Sequence, residues 1–170
     1  MAEFTGVANG AGRRIAVVGS RFNAEVTTPL VDGAVGCLLS HGVALVDIDT
    51  GWVPGAWELP AAVGRLLASD RYDAIVAVGA VIRGETPHFD YVAGEAARGL
   101  AELQREYNVP IGFGVLTTDT DDQAAARAGG AHGNKGADAA LAALEMADLF
   151  ARLDAEHDAA HDDGGGDGAR

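Results

Sequence analysis

The chain has one cysteine, Cys37, in 170 residues. A lone thiol closes no intrachain disulfide and builds no Cys-based zinc site. Basic side chains are also scarce, with 12 Lys and Arg against 25 Asp and Glu and a formal net charge of −13. That balance excludes nucleic acid, whose phosphates demand a basic surface, and anionic membrane surfaces for the same reason. No apolar run approaches the ~20 residues needed to span a bilayer. The opening MAEFTGVANGAG lacks the cationic region and apolar core of a secretory signal. The five histidines (41, 88, 132, 157 and 161) contain no HExxH pair. His157 and His161 lie four apart in an acidic tail, where only adventitious metal binding is expected. These absences predict a soluble, cytoplasmic protein with no structural metal.

Hydrophobic residues make up 48% of the chain and aromatics only 6%, so a core of Ala, Val and Leu is expected. The length suits one domain. Residues 14–19 (RIAVVG), 43–50 (VALVDIDT), 74–82 (AIVAVGAVI) and 111–117 (IGFGVLT) read as strands. The run at 74–82 is too short for a typical helix and rich in Val and Ile, as in a strand buried on both faces. Between these runs, apolar residues recur at helical spacing: Val26, Leu30, Ala34 and Leu38; Leu59, Val63, Leu66 and Leu67; Val92, Ala96, Leu100 and Leu103. A short helix over 121–128 and a long one from Lys135 to about Glu156 complete the set. Strands separated by helices predict parallel pairing with right-handed crossovers. The expected fold is a four-stranded, three-layer α/β/α sandwich of the flavodoxin-like kind. Residues 1–13 are expected to form an N-terminal extension, 14–156 the domain, and 157–170 a disordered acidic tail.

In such a sheet, ligands bind beyond the carboxyl ends of the strands. Four turns should gather there. They carry Phe22 and Asn23, then Ala56, Trp57 and Glu58, then Glu85, Thr86 and His88, and last Thr117 to Asp121, with Arg127 near the end of the short helix. Flat rings suit a planar heterocycle, and Glu58 with Asn23 a polyol. The backbone N–H groups of Gly84, Glu85 and Thr86, with Arg127, suit a phosphate. His88 suits proton transfer near neutral pH. Each side chain also has a plain structural reading: aromatic packing for Phe22 and Trp57, a favourable helix-start charge for Glu58, a turn cap for His88. No GxSxG or Ser-His-Asp spacing supplies a nucleophile. The glycine-rich stretch 129–136 lacks the GKS or GKT ending of a nucleotide loop and does not follow a strand. Residues 17–22 have no GxGxxG continuation, so both stretches read as turns.

Taken together, Ser20-Arg21-Phe22-Asn23, the run 53–60 (VPGAWELP), the run 79–92 (GAVIRGETPHFDYV), the run 113–119 (FGVLTTD), Gln123 to Gly129 and Gly133-Asn134-Lys135-Gly136 resemble lumazine synthases in order and spacing. The likeness covers about residues 14–150. It implies condensation of 5-amino-6-(D-ribitylamino)uracil with 3,4-dihydroxy-2-butanone 4-phosphate to 6,7-dimethyl-8-ribityllumazine, phosphate and water, the penultimate step of riboflavin biosynthesis. By the same resemblance, Phe22 and Trp57 border the pyrimidine, and Ala56 and Glu58 contact the ribityl-bearing substrate. Ala80, Val81 and Ile82 give backbone contacts, Glu85, Thr86 and Arg127 hold the phosphate, and His88 donates protons. Phe113 closes the site from a neighbouring subunit, with Lys135 close by.

The family's sites lie between subunits of a homopentamer. Family members form free pentamers, paired pentamers or icosahedral capsids of twelve pentamers; the compact turn from Ala128 to Gly136 resembles the capsid-forming members, for which riboflavin synthase is one candidate cargo. Trp57 stands where Phe is common, and Glu85 sets a carboxylate beside the expected phosphate. Two rival readings are a noncatalytic flavin- or lumazine-binding protein on the same scaffold and a response-regulator-like domain. The second would need a phosphoacceptor Asp at a strand end, where this chain has Gly-Ser-Arg-Phe.

Overall fold

The computed structural model describes residues 3–162, with side chains through residue 159. Its elements follow in order: β1 (Ile15–Ser20), α1 (Ala24–Ser40), a 3-10 turn (Leu45–Asp47), β2 (Ile48–Val53), a 3-10 turn (Ala56–Glu58), α2 (Leu59–Leu67) and β3 (Ala74–Ile82). Then come α3 (His88–Tyr107), β4 (Ile111–Thr118), α4 (Asp121–Arg127), the short strands β5 (Ala128–Gly130) and β6 (Gly133–Asn134), and α5 (Lys135–Asp162). The main sheet has order β2-β1-β3-β4 and every pair in it is parallel. The expected four-stranded α/β/α sandwich is what forms.

The alternation of side chains along the strands builds two cores. Ile15, Val17, Val76, Val78 and Ala80 pack with α1 and α5, whose Leu30, Leu38 and Leu144 are fully buried. Ala16, Val18, Ile75, Ala77 and Val81 face α2 and α3, through Leu59, Val63 and Leu100. A strand covered on both sides reads as an unbroken apolar run, which accounts for β1 and β3. Among the described residues no helix is long and apolar enough to cross a membrane.

The second strand differs from the expectation of 43–50. Leu45 and Val46 form a 3-10 turn, 69% and 81% exposed, and the strand runs from Ile48 to Val53. The reason is register: β1 begins opposite Ile48, so earlier residues have no strand to pair with. Gly51 and Trp52 are therefore strand residues and not part of the following turn. The last helix continues to Asp162, past the expected end at 156. The rest of the expected tail, 163–170, and the side chain of His161 lie outside the described residues.

Helices α1 and α5 meet closely, and Asn134 locks them. Its Oδ1 accepts the N–H groups of Gly136 and Ala137, capping α5, while its Nδ2 donates to the Pro29 carbonyl inside α1 at 2.7 Å. Gly33 lies against the Asn134 side chain and Gly136 against the Leu30 carbonyl, with no room for a Cβ at either. Gly136→Ala must push the two helices apart. The expected loss is about 1–3 kcal/mol, as for other overpacked cores, read as a lower denaturation midpoint.

Ahead of β1, the N-terminal arm docks on α5 through Asp148, which is 7% exposed. Its carboxylate accepts the Val7 N–H at 2.9 Å and Arg152 at 2.6 Å, and faces Arg13 at 3.5 Å. The Val7 N–H first, then Arg152, hold the Asp148 carboxyl below its ordinary value. A depressed carboxyl stabilises the fold above the unfolded value of about 3.9 and loses that contribution as pH falls through the folded value. Asp148→Asn should therefore be less stable than the parent at pH 7, with the gap closing below pH 4, as followed by thermal melts across pH.

Candidate functional site

The path from β1 to β2 leaves on one side of β1, and β3 returns on the other, so the strand order reverses between β1 and β3. That switch opens a crevice beyond their carboxyl ends. Three turns are fastened there. Arg21 and Phe22 donate backbone N–H groups to the Val53 and Pro54 carbonyls, at 2.8 and 3.0 Å, tying the first turn to the end of β2. Asn23 has left-handed backbone geometry at φ 59° and its Nδ2 donates to the Ala80 carbonyl at 3.0 Å. Asn tolerates that conformation well. The bonds hold Phe22 out at 70% exposure.

Trp57 is exposed in the 3-10 turn after β2, and Ala56 beside it is buried. The Glu58 Oε2 accepts the Gly55 N–H at 2.9 Å, closing the turn on itself. This bond belongs to the 3-10 turn, and the Glu58 side chain makes no capping bond to α2. Ala80 and Val81 are buried at the end of β3, and Ile82 is half-buried.

Residues 83–88 form the third turn. Gly84, Glu85, Thr86 and His88 are all exposed. Asp90 N–H donates to the Pro87 carbonyl, and no described residue accepts from the N–H groups of Gly84, Glu85 or Thr86. His88 is the first residue of α3, a 20-residue helix. Open N–H groups leading into a helix N-terminus suit an anion. The Arg83 guanidinium sits 4.0 Å over the Phe89 ring, with Asp119 at 2.9 Å and Asp90 at 3.3 Å. Asp119, ahead of Asp90, pushes this group still higher, so it stays charged. The sequence alone does not single out Arg83. Its only signal is the pair of acidic residues in the neighbouring turn and helix, whose proximity appears with the fold.

Phe113, Arg127 and Lys135 lie elsewhere. They line a cleft of about 500 Å³ running along β4 from Phe113 to Thr118, with Asp138 and Ala139 of α5 opposite. Phe113 is 47% exposed. Arg127 Nη1 donates to the Gln123 carbonyl at 3.0 Å and has no carboxylate partner among the described residues, whereas Lys135 Nζ pairs with Asp138 at 2.7 Å. None of Phe22, Trp57, Glu58, Glu85, Thr86 and His88 lines this cleft. His88 does not line the cleft that holds Arg127, so a single chain does not set the two around that one cavity. The cause is the sheet order, because β4 is an edge strand and its outer flank opens away from the β1–β3 crevice.

The sequence model of the 6,7-dimethyl-8-ribityllumazine synthase family matches residues 12–151. The chain belongs to this family. A relative named 6,7-dimethyl-8-ribityllumazine synthase from Gemmatimonas aurantiaca is 68% identical over 152 residues, covering 89% of this chain and 93% of its own. One of the same name from Aquifex aeolicus is 49% identical over 153 residues, covering 90% of this chain and 99% of its own. The matched segment contains both half-sites in full. Residues 152–170, which end α5 and carry the acidic tail, fall beyond it. Among the described residues no group of three or more His, Cys, Asp or Glu side chains is placed to hold a metal ion.

Proposed function

We propose that the chain condenses 5-amino-6-(D-ribitylamino)uracil with 3,4-dihydroxy-2-butanone 4-phosphate, giving 6,7-dimethyl-8-ribityllumazine, phosphate and water. The family match over residues 12–151 carries this reading. Phe22 and Trp57 border the pyrimidine ring, with Ala56 and Glu58 at the ribityl chain and the backbone of Ala80, Val81 and Ile82 at the ring edge. The N–H groups of Glu85 and Thr86, with Arg127, take the phosphate. His88 moves protons.

The chemistry needs little more. An aromatic amine adds to a ketone and water leaves as the imine forms. Elimination then expels phosphate, the enol becomes a ketone, and the ribityl-bearing nitrogen closes the ring with loss of a second water. Each step shifts a proton, for which a positioned imidazole contributes about 10²–10⁴-fold. Holding two substrates in register contributes more. His88→Ala is expected to lower kcat by roughly 10²-fold without abolishing turnover. Arg127→Ala should raise KM for the butanone phosphate by roughly 10- to 10²-fold, as expected for losing a hydrogen bond to a charged group. Its KM for the uracil should hold within about twofold. Full steady-state activity in His88→Ala, with chemistry rate-limiting, would falsify the proton role.

The same reading makes the working unit a homopentamer in the cytoplasm, with Phe113, Arg127 and Lys135 of one copy completing the β1–β3 crevice of the next. Pentamers assembled into an icosahedral capsid, with riboflavin synthase enclosed, extend it. What supports assembly is exposed apolar surface: Val46 at 81%, Leu45 and Tyr91 each at 69%, besides Phe22, Trp57 and Phe113. Exposed apolar side chains of this size fit burial against a neighbouring copy. The unpaired thiol of Cys37 suits a reducing compartment. Light scattering is expected to find particles of at least five chains. A fully active single-chain species defeats the shared-site reading, and a pentamer-sized particle in every buffer defeats the capsid.

A further inference from the structure

The turn that presents the phosphate-binding N–H groups and His88 has almost no bonding of its own. Residues 84–88 are exposed, and a Cβ at Gly84 would meet nothing within 4 Å. What anchors the turn is the residue before it. The Arg83 N–H donates to the Thr118 carbonyl at 2.8 Å, fixing its backbone to the end of β4. Its side chain then crosses to three places at once: the Asp119 carboxylate beyond β4, Asp90 in the first turn of α3, and the face of Phe89. One planar guanidinium thus joins the carboxyl end of β4 to the start of α3, with residues 84–87 spanning the gap between them. A lysine has neither the fork nor the flat face for this.

We propose that Arg83 is a positioning residue for the phosphate-bearing substrate, clasping Asp119 and Asp90 so that the 84–86 N–H groups and His88 hold one geometry. The proposal builds on the site reading above and adds a residue that does not touch substrate. Arg83 is committed to two carboxylates, so the direct positive charge at the phosphate comes from Arg127. Thr118, whose carbonyl Arg83 holds, also lines the Arg127 cleft. The clasp therefore sits at the border of both half-sites.

The test compares Arg83→Gln, Arg83→Lys, Asp119→Asn and the Arg83→Gln/Asp119→Asn double variant in the assembled enzyme, with KM for each substrate measured separately. Misplacing catalytic groups by about 1 Å costs up to ~10²-fold. Arg83→Gln is expected to lower kcat/KM for 3,4-dihydroxy-2-butanone 4-phosphate by roughly 10- to 10²-fold while KM for the uracil moves less than about twofold. Arg83→Lys should recover part of the loss, and Asp119→Asn should show the same selective defect. The double variant should be no worse than Arg83→Gln alone, because both changes open one clasp. Thermal midpoints should stay within a few degrees of the parent, since exposed ion pairs add little stability.

Equal loss for both substrates, unchanged kinetics, or multiplied defects in the double variant overturn the proposal. So does tighter phosphate binding in Asp119→Asn, which would mean that Arg83 is a direct ligand competing with Asp119. Arg127→Ala, run alongside, separates two failures. If it loses the phosphate substrate while the Arg83 series does not, only the clasp is wrong; if neither does, the phosphate site itself is misplaced.

Discussion

Ile15 pairs with Ile48 on one side and with Ala74 on the other, and from that register the rest of the molecule follows. Because both pairings are parallel, β1, β2 and β3 all end at one edge. Because β2 and β3 lie on opposite sides of β1, the chain must change direction there and leave a crevice. The turns beyond the crevice then need fastening, and the fastening uses backbone and amide groups: Arg21 and Phe22 to β2, Asn23 to β3. Aromatic side chains are left outside. Exposing rings costs free energy that burial would otherwise supply, at roughly 25 cal/mol per Å². A fold keeps such an arrangement where the rings have a ligand or a neighbour to meet.

Much of this is legible in the residues. β1 and β3 are unbroken apolar runs because both faces are covered, and helical spacing gives α1, α2 and α3 with their buried faces. The Thr120 cap, whose hydroxyl accepts the Gln123 N–H while Gln123 Oε1 accepts the Asp119 N–H, is visible as Thr-Asp-Asp-Gln. Misreadings arise where composition and pairing disagree. Leu45 and Val46 look like a strand but have no partner at that register. Glu156 looks like a helix end, yet α5 carries on through the Ala, Asp and His residues from His157 to Asp162. The division of the site into two parts is not a property of any local motif. It comes from β4 being the last strand, which only the sheet order reveals.

Charge is the second constraint. A chain with net charge −13 binds an anionic substrate only where local geometry overrides the average field. Around the third turn stand Glu85, Asp90 and Asp119, and the first task of Arg83 is to offset two of these carboxylates. Backbone N–H groups carry partial positive charge without attracting a counterion, so Gly84 to Thr86 can face a phosphate beside acidic neighbours. Among the described residues Arg127 has no carboxylate partner. Lys135, the only lysine of the chain, is partly neutralised by Asp138. The three cations thus have graded availability, and Arg127 is the most available.

Two half-sites on one chain also constrain how activity depends on assembly. The β1–β3 crevice offers rings, N–H groups and an imidazole, whereas Arg127 of the same chain lines the β4 cleft, which those groups do not line. The β4 cleft offers Arg127 and Phe113 but nothing to stack a heterocycle from the other side. In the proposed assembly a closed ring of copies would resolve both deficits by one repeated contact, each interface joining the crevice of one chain to the cleft of the next. A head-to-tail contact of this kind closes only for a definite rotation per subunit, so the geometry that completes one site also sets the number of copies. Substrate bound across such an interface touches two chains and stabilises their association by as much as association strengthens its binding. On the proposed function, catalytic geometry and quaternary structure would then become one equilibrium, governed by the side chains of Phe113 and Arg127 on one chain and Phe22 and His88 on the other.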